Sequence, residues 1–189
     1  MERPTPVSPE WRRCARTVHS ARVSAPRIAF VGRHNSGKTT LLLAVLPLLA
    51  ARGIRVGYLK HAHAGFEIDR PEKDSYRVRR SGVIQTIVTG GGQTAVIDDG
   101  DPDAGLEAVI ARYARADLDL LVVEGFKAEP LPKIEVARAA LSTELLCLND
   151  RNLVATVADV PVRPDVAHFG LGDAPAIAEF VLARIGVRT

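Results

Sequence analysis

The sequence predicts an α/β fold in three layers: a mostly parallel sheet, helices on both faces, and an added antiparallel hairpin. Three observations predict it. Short apolar runs without polar alternation, such as "RIAFVG", "LDLLVVEGF" and "LVATVAD", read as strands buried on both faces. Helical stretches separate most of them, the order that makes neighbouring strands parallel. A triple glycine, Gly90-Gly91-Gly92, joins "VIQTIVTG" to "QTAVIDD" as a hairpin turn would.

The elements follow in order. Residues 1–25 are rich in arginine and serine, broken by prolines, and lack the continuous apolar segment of a secretory signal. They are expected to be a poorly ordered N-terminal extension, with 26–189 as one domain. Strand 27–32 ends on Gly32, helix 38–52 stops at Gly53, and 55–62 is a second strand. Residues 73–82 read as a helix closing on Gly82, 83–98 as the hairpin, and about 103–115 as a helix. Strands at 118–126, 133–138 and 153–159 follow, with a short helix expected around 140–148. An amphipathic helix at 174–186 closes the chain.

A chain of 189 residues, 47% hydrophobic and 25% charged, is large enough for one core without staples. No apolar run approaches the roughly 20 residues that span a bilayer, so a soluble protein with no membrane partner is expected. The net charge of +3 owes much to Arg12, Arg13, Arg16, Arg22 and Arg27; it reads as a solvated tail and predicts no nucleic-acid partner. Two cysteines, Cys14 and Cys147, make no secreted-type disulfide framework, and a reducing cytoplasm is the expected compartment.

The chemistry starts at "GRHNSGKTT". Gly32 to Thr39 fits G-x-x-x-x-G-K-[ST], between a predicted strand and a predicted helix. Glycines there let backbone N–H groups converge on phosphate oxygens, and the helix turns its positive end toward them. Lys38 would reach the β- and γ-phosphates, the Thr39 hydroxyl would complete a Mg²⁺ shell, and Thr40 beside it counts among the nucleotide-binding residues. Asn35 and Ser36 contribute backbone amides; Arg33 and His34 read as solvent-exposed. The pattern specifies a three-layer P-loop NTPase fold and makes 26–189 a P-loop nucleotide-binding domain. Such a loop needs a carboxylate at a neighbouring strand end. "LLVVEG" supplies Glu124, to bind Mg²⁺ or polarise a water, whereas Asp117 and Asp119 precede their strand and belong at its far end.

Three stretches together are more specific. "GRHNSGKTTLL", "LKHAHAGFEIDRPEKDSYRVRRSG" and "LVVEGFKAEPLPKIEVAR" resemble, in order and spacing, the molybdopterin-guanine dinucleotide biosynthesis adaptor (MobB) family, over about residues 27–185. The resemblance implies a dimeric, GTP-binding P-loop protein with feeble Mg²⁺-dependent GTP hydrolysis. It implies a partner too, a guanylyltransferase that joins GMP to molybdopterin, with molybdopterin as a further candidate ligand. The family pattern falls on Gly32, Gly37, Lys38 and Thr39; on Lys60, His61, Asp69, Asp74, Ser75 and Arg77; and on Glu124, Gly125, Lys127, Pro132 and Lys133. Glu72 stands where relatives often have glycine, and the extension before the first strand is unusual.

Several residues keep two readings. Lys60, His61 and His63 end the second strand; the histidines share a face and suit a metal, an anionic ligand or a structural contact. Asp74 is placed either to cap the helix that follows or to bind magnesium. Arg77, Arg79 and Arg80 line a surface for a phosphorylated pterin or a solvated face. Lys127 and Lys133 bracket a proline-rich loop as anion contacts or plain surface lysines. There is no N-K-x-D, so Asp159, at a strand end, is the candidate for the guanine base. A small-molecule kinase using ATP is the rival reading, weakened by the lack of a long lid insertion. A non-catalytic scaffold that has kept the loop is the third.

Overall fold

The computed structural model describes residues 25–62, 65–101, 104–142, 144–159 and 163–187. The extension expected at 1–25 thus lies outside the described residues except for Ala25, which is buried in the core. Cys14 and His63 lie outside them as well.

Six strands form one sheet in the order β2-β5-β1-β6-β7-β8, every neighbouring pair parallel. They are β1 (Arg27–Val31), β2 (Val56–Lys60), β5 (Leu120–Glu124), β6 (Lys133–Ala137), β7 (Leu153–Ala158) and β8 (Ala167–Phe169). The uninterrupted apolar runs are explained by position: β5 and β6 are buried along their whole length, and β1 from Ile28 onward. Alternation sorts their side chains between two cores. Ile28, Phe30, Leu120, Val122, Ile134 and Val136 face α1 (Lys38–Ala51) and α4 (Ala174–Arg184). Ala29, Val31, Leu121, Val123 and Ala137 face α3 (Leu106–Tyr113) and the 138–150 segment.

The hairpin, β3 (Gln85–Gly90) and β4 (Gln93–Asp98), turns on Gly91 and Gly92 at φ 57° and 77°. Both values are positive, which a two-residue type I′ turn requires and glycine supplies. It forms a separate two-stranded sheet instead of extending the parallel one. The hairpin carries α2 (Asp74–Arg79) against β3 and is tied to α3 through Asp98, which meets Arg112 and Tyr113.

Two sequence expectations are corrected here. No helix forms among the described residues of 140–148, so Cys147 sits in turns. The N–H groups of Leu146 and Cys147 donate to the buried Glu135 carboxylate at 2.6 and 2.9 Å, which diverts them from helical partners. β8 was missed because three residues, "AHF", carry too little pattern. Asp119 behaves as expected of the far end: it holds the backbone N–H and guanidinium of Arg55. That hydrogen-bonding keeps its carboxyl down at about 2.

Candidate functional site

The C-terminal ends of the parallel strands form one edge, and the chain leaves β1 there into the glycine-rich loop. Gly32 has φ 146°, and a Cβ on it would stand 2.3 Å from the Val136 carbonyl oxygen. Only glycine lets the loop pass so close to β6. Asn35 at φ 60° and Gly37 at φ 97° are left-handed, which folds the intervening backbone into a tight turn. The Lys38 ammonium donates to the carbonyls of Gly32 (3.1 Å) and Arg33 (2.7 Å), closing the loop on itself. Gly37 caps α1 without any side-chain bond, so its first N–H groups are left for an anion. Ser36 is 1% exposed, and its hydroxyl has no hydrogen-bond partner. A glycine cradle, a folded-over lysine and an orphan hydroxyl fit a polyphosphate. The Thr39 and Thr40 side chains are exposed on the first turn of α1.

Glu124, the last residue of β5, shares the parity of Leu120 and Val122 and so faces the α1 side. It is 5% exposed. The Tyr58 hydroxyl donates to one carboxylate oxygen at 2.5 Å, and the Lys60 ammonium lies 3.3 Å from the other. Burial, and then the bond to Glu124, pushes the Tyr58 phenol above its ordinary value. Burial pulls the Lys38 ammonium below the usual lysine range; Glu124 opposes that and Lys60 adds to it. Lys38, Tyr58, Lys60 and Glu124 are therefore one electrostatic cluster. Beyond Glu124 the chain reverses through two left-handed residues, Gly125 (φ 98°) and Phe126 (φ 51°). The Phe126 ring stacks on the His61 ring with centroids 4.6 Å apart, and the backbone N–H of His61 donates to the Glu124 carbonyl at 3.0 Å.

The other sequence candidates separate. Lys127 is exposed just past this turn, and Asp159 is exposed at the end of β7, accepting the Ala139 N–H at 2.7 Å. Lys133 does not join them. It is 0% exposed, shares its face with Glu135 and Ala137 on the α3 side, and holds Asp150 at 2.6 Å. Sheet alternation puts it on the face opposite Glu124, which removes it from the nucleotide edge. Asp74 does not cap α2: Lys73 occupies the cap position with no side-chain bond, and Asp74 is 98% exposed beside Arg77 at 3.9 Å. Among the described residues, no chain of hydrogen bonds or ion pairs links it to Glu124. Arg79 pairs with Glu67 and stacks with Arg80 on Tyr76, so these guanidiniums serve the hairpin side. For the metal reading of His61, no group of three His, Cys, Asp or Glu among the described residues could hold an ion.

Two residues were missed from sequence. Tyr58 had a usable signal, standing two residues before Lys60 and therefore on its face. Arg138, the first residue after β6, donates from Nε to the Ser36 carbonyl at 3.2 Å; its strand-end position was the available clue. No helix among the described residues is long and apolar enough to cross a membrane.

Comparison with known proteins adds to this geometry. The family model described as "Molybdopterin guanine dinucleotide synthesis protein B" matches residues 27–159. The molybdopterin-guanine dinucleotide biosynthesis adapter protein of Escherichia coli is 39% identical over 161 residues, covering 83% of this chain and 91% of that protein. The adapter protein of the same name from Haemophilus influenzae is 33% identical over 156 residues, covering 82% and 87%. A crystal structure of molybdopterin-guanine biosynthesis protein B superposes with a TM-score of 0.69 at 27% identity, covering 85% of this chain and 99% of that one.

Proposed function

The chain belongs to the molybdopterin guanine dinucleotide synthesis protein B family, and on that premise we propose that it is a GTP-binding adaptor. It assists a partner guanylyltransferase in attaching GMP to molybdopterin, with slow Mg²⁺-dependent GTP hydrolysis of its own, in the cytoplasm. The observation that carries the reading is the joining of the glycine cradle to the Lys38–Tyr58–Lys60–Glu124 cluster at one sheet edge.

In this reading the amides of Asn35 to Thr40 and the Lys38 ammonium hold the phosphates. Thr39 and Glu124 are the residues for magnesium, whose charge would help neutralise the phosphates; Asp74, on the hairpin side, is an outer candidate. Tyr58 fixes the Glu124 carboxylate. Lys60, His61 and Lys127 meet the anionic ligand or the partner. Asp159 takes the guanine base, because a carboxylate that accepts one N–H has lone pairs for more. A small-molecule kinase has no counterpart among the relatives named above.

Titration calorimetry of the chain against a molybdopterin guanylyltransferase, with GTP, with ATP and with neither, tests the proposal. Binding is expected to strengthen with GTP alone. Equal enhancement by ATP, or none by either, overturns it.

We also propose a homodimer. The hairpin side exposes Phe66, Ile68, Ile84 and Ile87, each 60% or more accessible, an apolar surface large for a lone two-stranded sheet. Sedimentation at micromolar concentration is expected to give twice the chain mass, and Ile84→Lys with Ile87→Lys to give the monomer. A monomeric wild type refutes the dimer.

A further inference from the structure

Arg138 is half-buried, and among the described residues no carboxylate forms an ion pair with it. A guanidinium withdrawn from water without a counter-charge is costly unless something else uses the charge. What it touches is the phosphate loop. Its Nε donates to the Ser36 carbonyl at 3.2 Å. Its terminal nitrogen and Nε lie 3.2 and 3.4 Å from where a Cβ on Gly37 would stand, so the guanidinium packs directly on that glycine.

The consequence follows from peptide geometry. In a trans peptide the C=O and the following N–H point in opposite directions. Holding the Ser36 carbonyl toward Arg138 therefore aims the Gly37 N–H the other way. Gly37, without a Cβ, tolerates either orientation of that peptide plane, so a contact on the Ser36 carbonyl can decide between them. The orphan Ser36 hydroxyl sits in the same turn.

We propose that Arg138 is a positioning residue for phosphate recognition. It locks the Ser36–Gly37 peptide so that the Gly37 amide faces the bound polyphosphate. The proposal rests on the nucleotide-binding reading of this loop and extends it to a residue outside the glycine-lysine motif. Its ligand class is a nucleoside di- or triphosphate.

The test uses the full chain and a fluorescent GTP or GDP analogue, with Arg138→Gln, Arg138→Lys and, as a reference, Lys38→Ala. Arg138→Gln is expected to raise the dissociation constants of both nucleotides in parallel by about tenfold, the scale of one charge-assisted hydrogen bond. Arg138→Lys, which keeps the charge and a single donor, should recover part of that loss. Hydrolysis should lose more in KM than in kcat, at an unchanged melting temperature. A dissociation constant within twofold of wild type in Arg138→Gln overturns the proposal, as does a loss that tracks a lowered melting temperature. If Arg138→Gln does not fold, Arg138→Lys decides: an unchanged affinity overturns the proposal and a weakened one supports it. Failure of the nucleotide reading looks different, because the wild type would then bind neither analogue and Lys38→Ala would change nothing.

Discussion

Gly32→Ala is expected to lower GTP affinity by about 100-fold, the scale of losing one or two hydrogen bonds to a charged phosphate. Its Cβ would stand 2.3 Å from the Val136 carbonyl oxygen and 2.8 Å from the Ser36 hydroxyl. The backbone conformation adds to this, because φ 146° suits glycine alone. Val136 cannot move aside: β6 is buried from Lys133 to Ala137 and lies between β1 and β7. The loop must give instead, carrying the amides of residues 33–38 off their convergence point. Gly53→Ala is the matched control. Gly53 also has a positive φ, 76°, but nothing lies within 4 Å of its would-be Cβ. That variant should lose only about 1 kcal/mol of stability from backbone strain and bind GTP normally. Nucleotide titration and thermal melting of both variants check the pair. If Gly32→Ala binds within threefold of wild type, the close approach to β6 does not shape the cradle.

Most of the strands and the loop were legible because each is a local pattern. "LLVVEG" is a continuous apolar run that must be buried on both faces, and the acid ending it must stand at the sheet edge. The loop pattern combines glycine freedom with a fixed lysine spacing, which few other structures need. What the sequence did not show was which side of the sheet a residue faces when two strands are compared. Lys133 and Glu124 both adjoin glycine- or proline-containing loops, and linear distance placed them together. Only the alternation within each strand, combined with the register of β6 on β1, puts them on opposite faces. The segment 140–148 misled for a related reason. Its composition favours helix, but Glu135, a residue from another element, takes two of its N–H groups. Arg138 escaped notice because its partner is a backbone carbonyl 102 positions away, which leaves its place at a strand end as the one clue in the sequence.

Asp150→Asn is expected to cost about 3–5 kcal/mol of stability, the range for breaking a buried ion pair from one side. For a chain of this length that lowers the melting temperature by about 10 °C or more. Lys133 is fully buried, and its ammonium reaches Asp150 at 2.6 Å and the carbonyls of Glu129 and Leu131 at 2.5 and 3.4 Å. The carbonyls solvate the ammonium but do not neutralise it. The asymmetry can be tested. The Asp150 side chain is 23% exposed and also accepts both nitrogens of Asn152. Lys133→Met leaves a carboxylate that water and Asn152 still serve, so it should cost less than Asp150→Asn. The pH dependence has a definite sign. The hydrogen bond from Lys133 is the main cause holding the Asp150 carboxyl below its ordinary value. Its contribution is therefore complete above the unfolded-state value of about 4 and is lost as pH falls through the lower folded-state value. Wild type and Asp150→Asn should differ most near neutral pH and converge in acid. GTP affinity should stay at the wild-type level in the folded variant, because Lys133 faces α3 and not the phosphate loop. Loss of GTP binding without loss of stability would return Lys133 to the nucleotide edge.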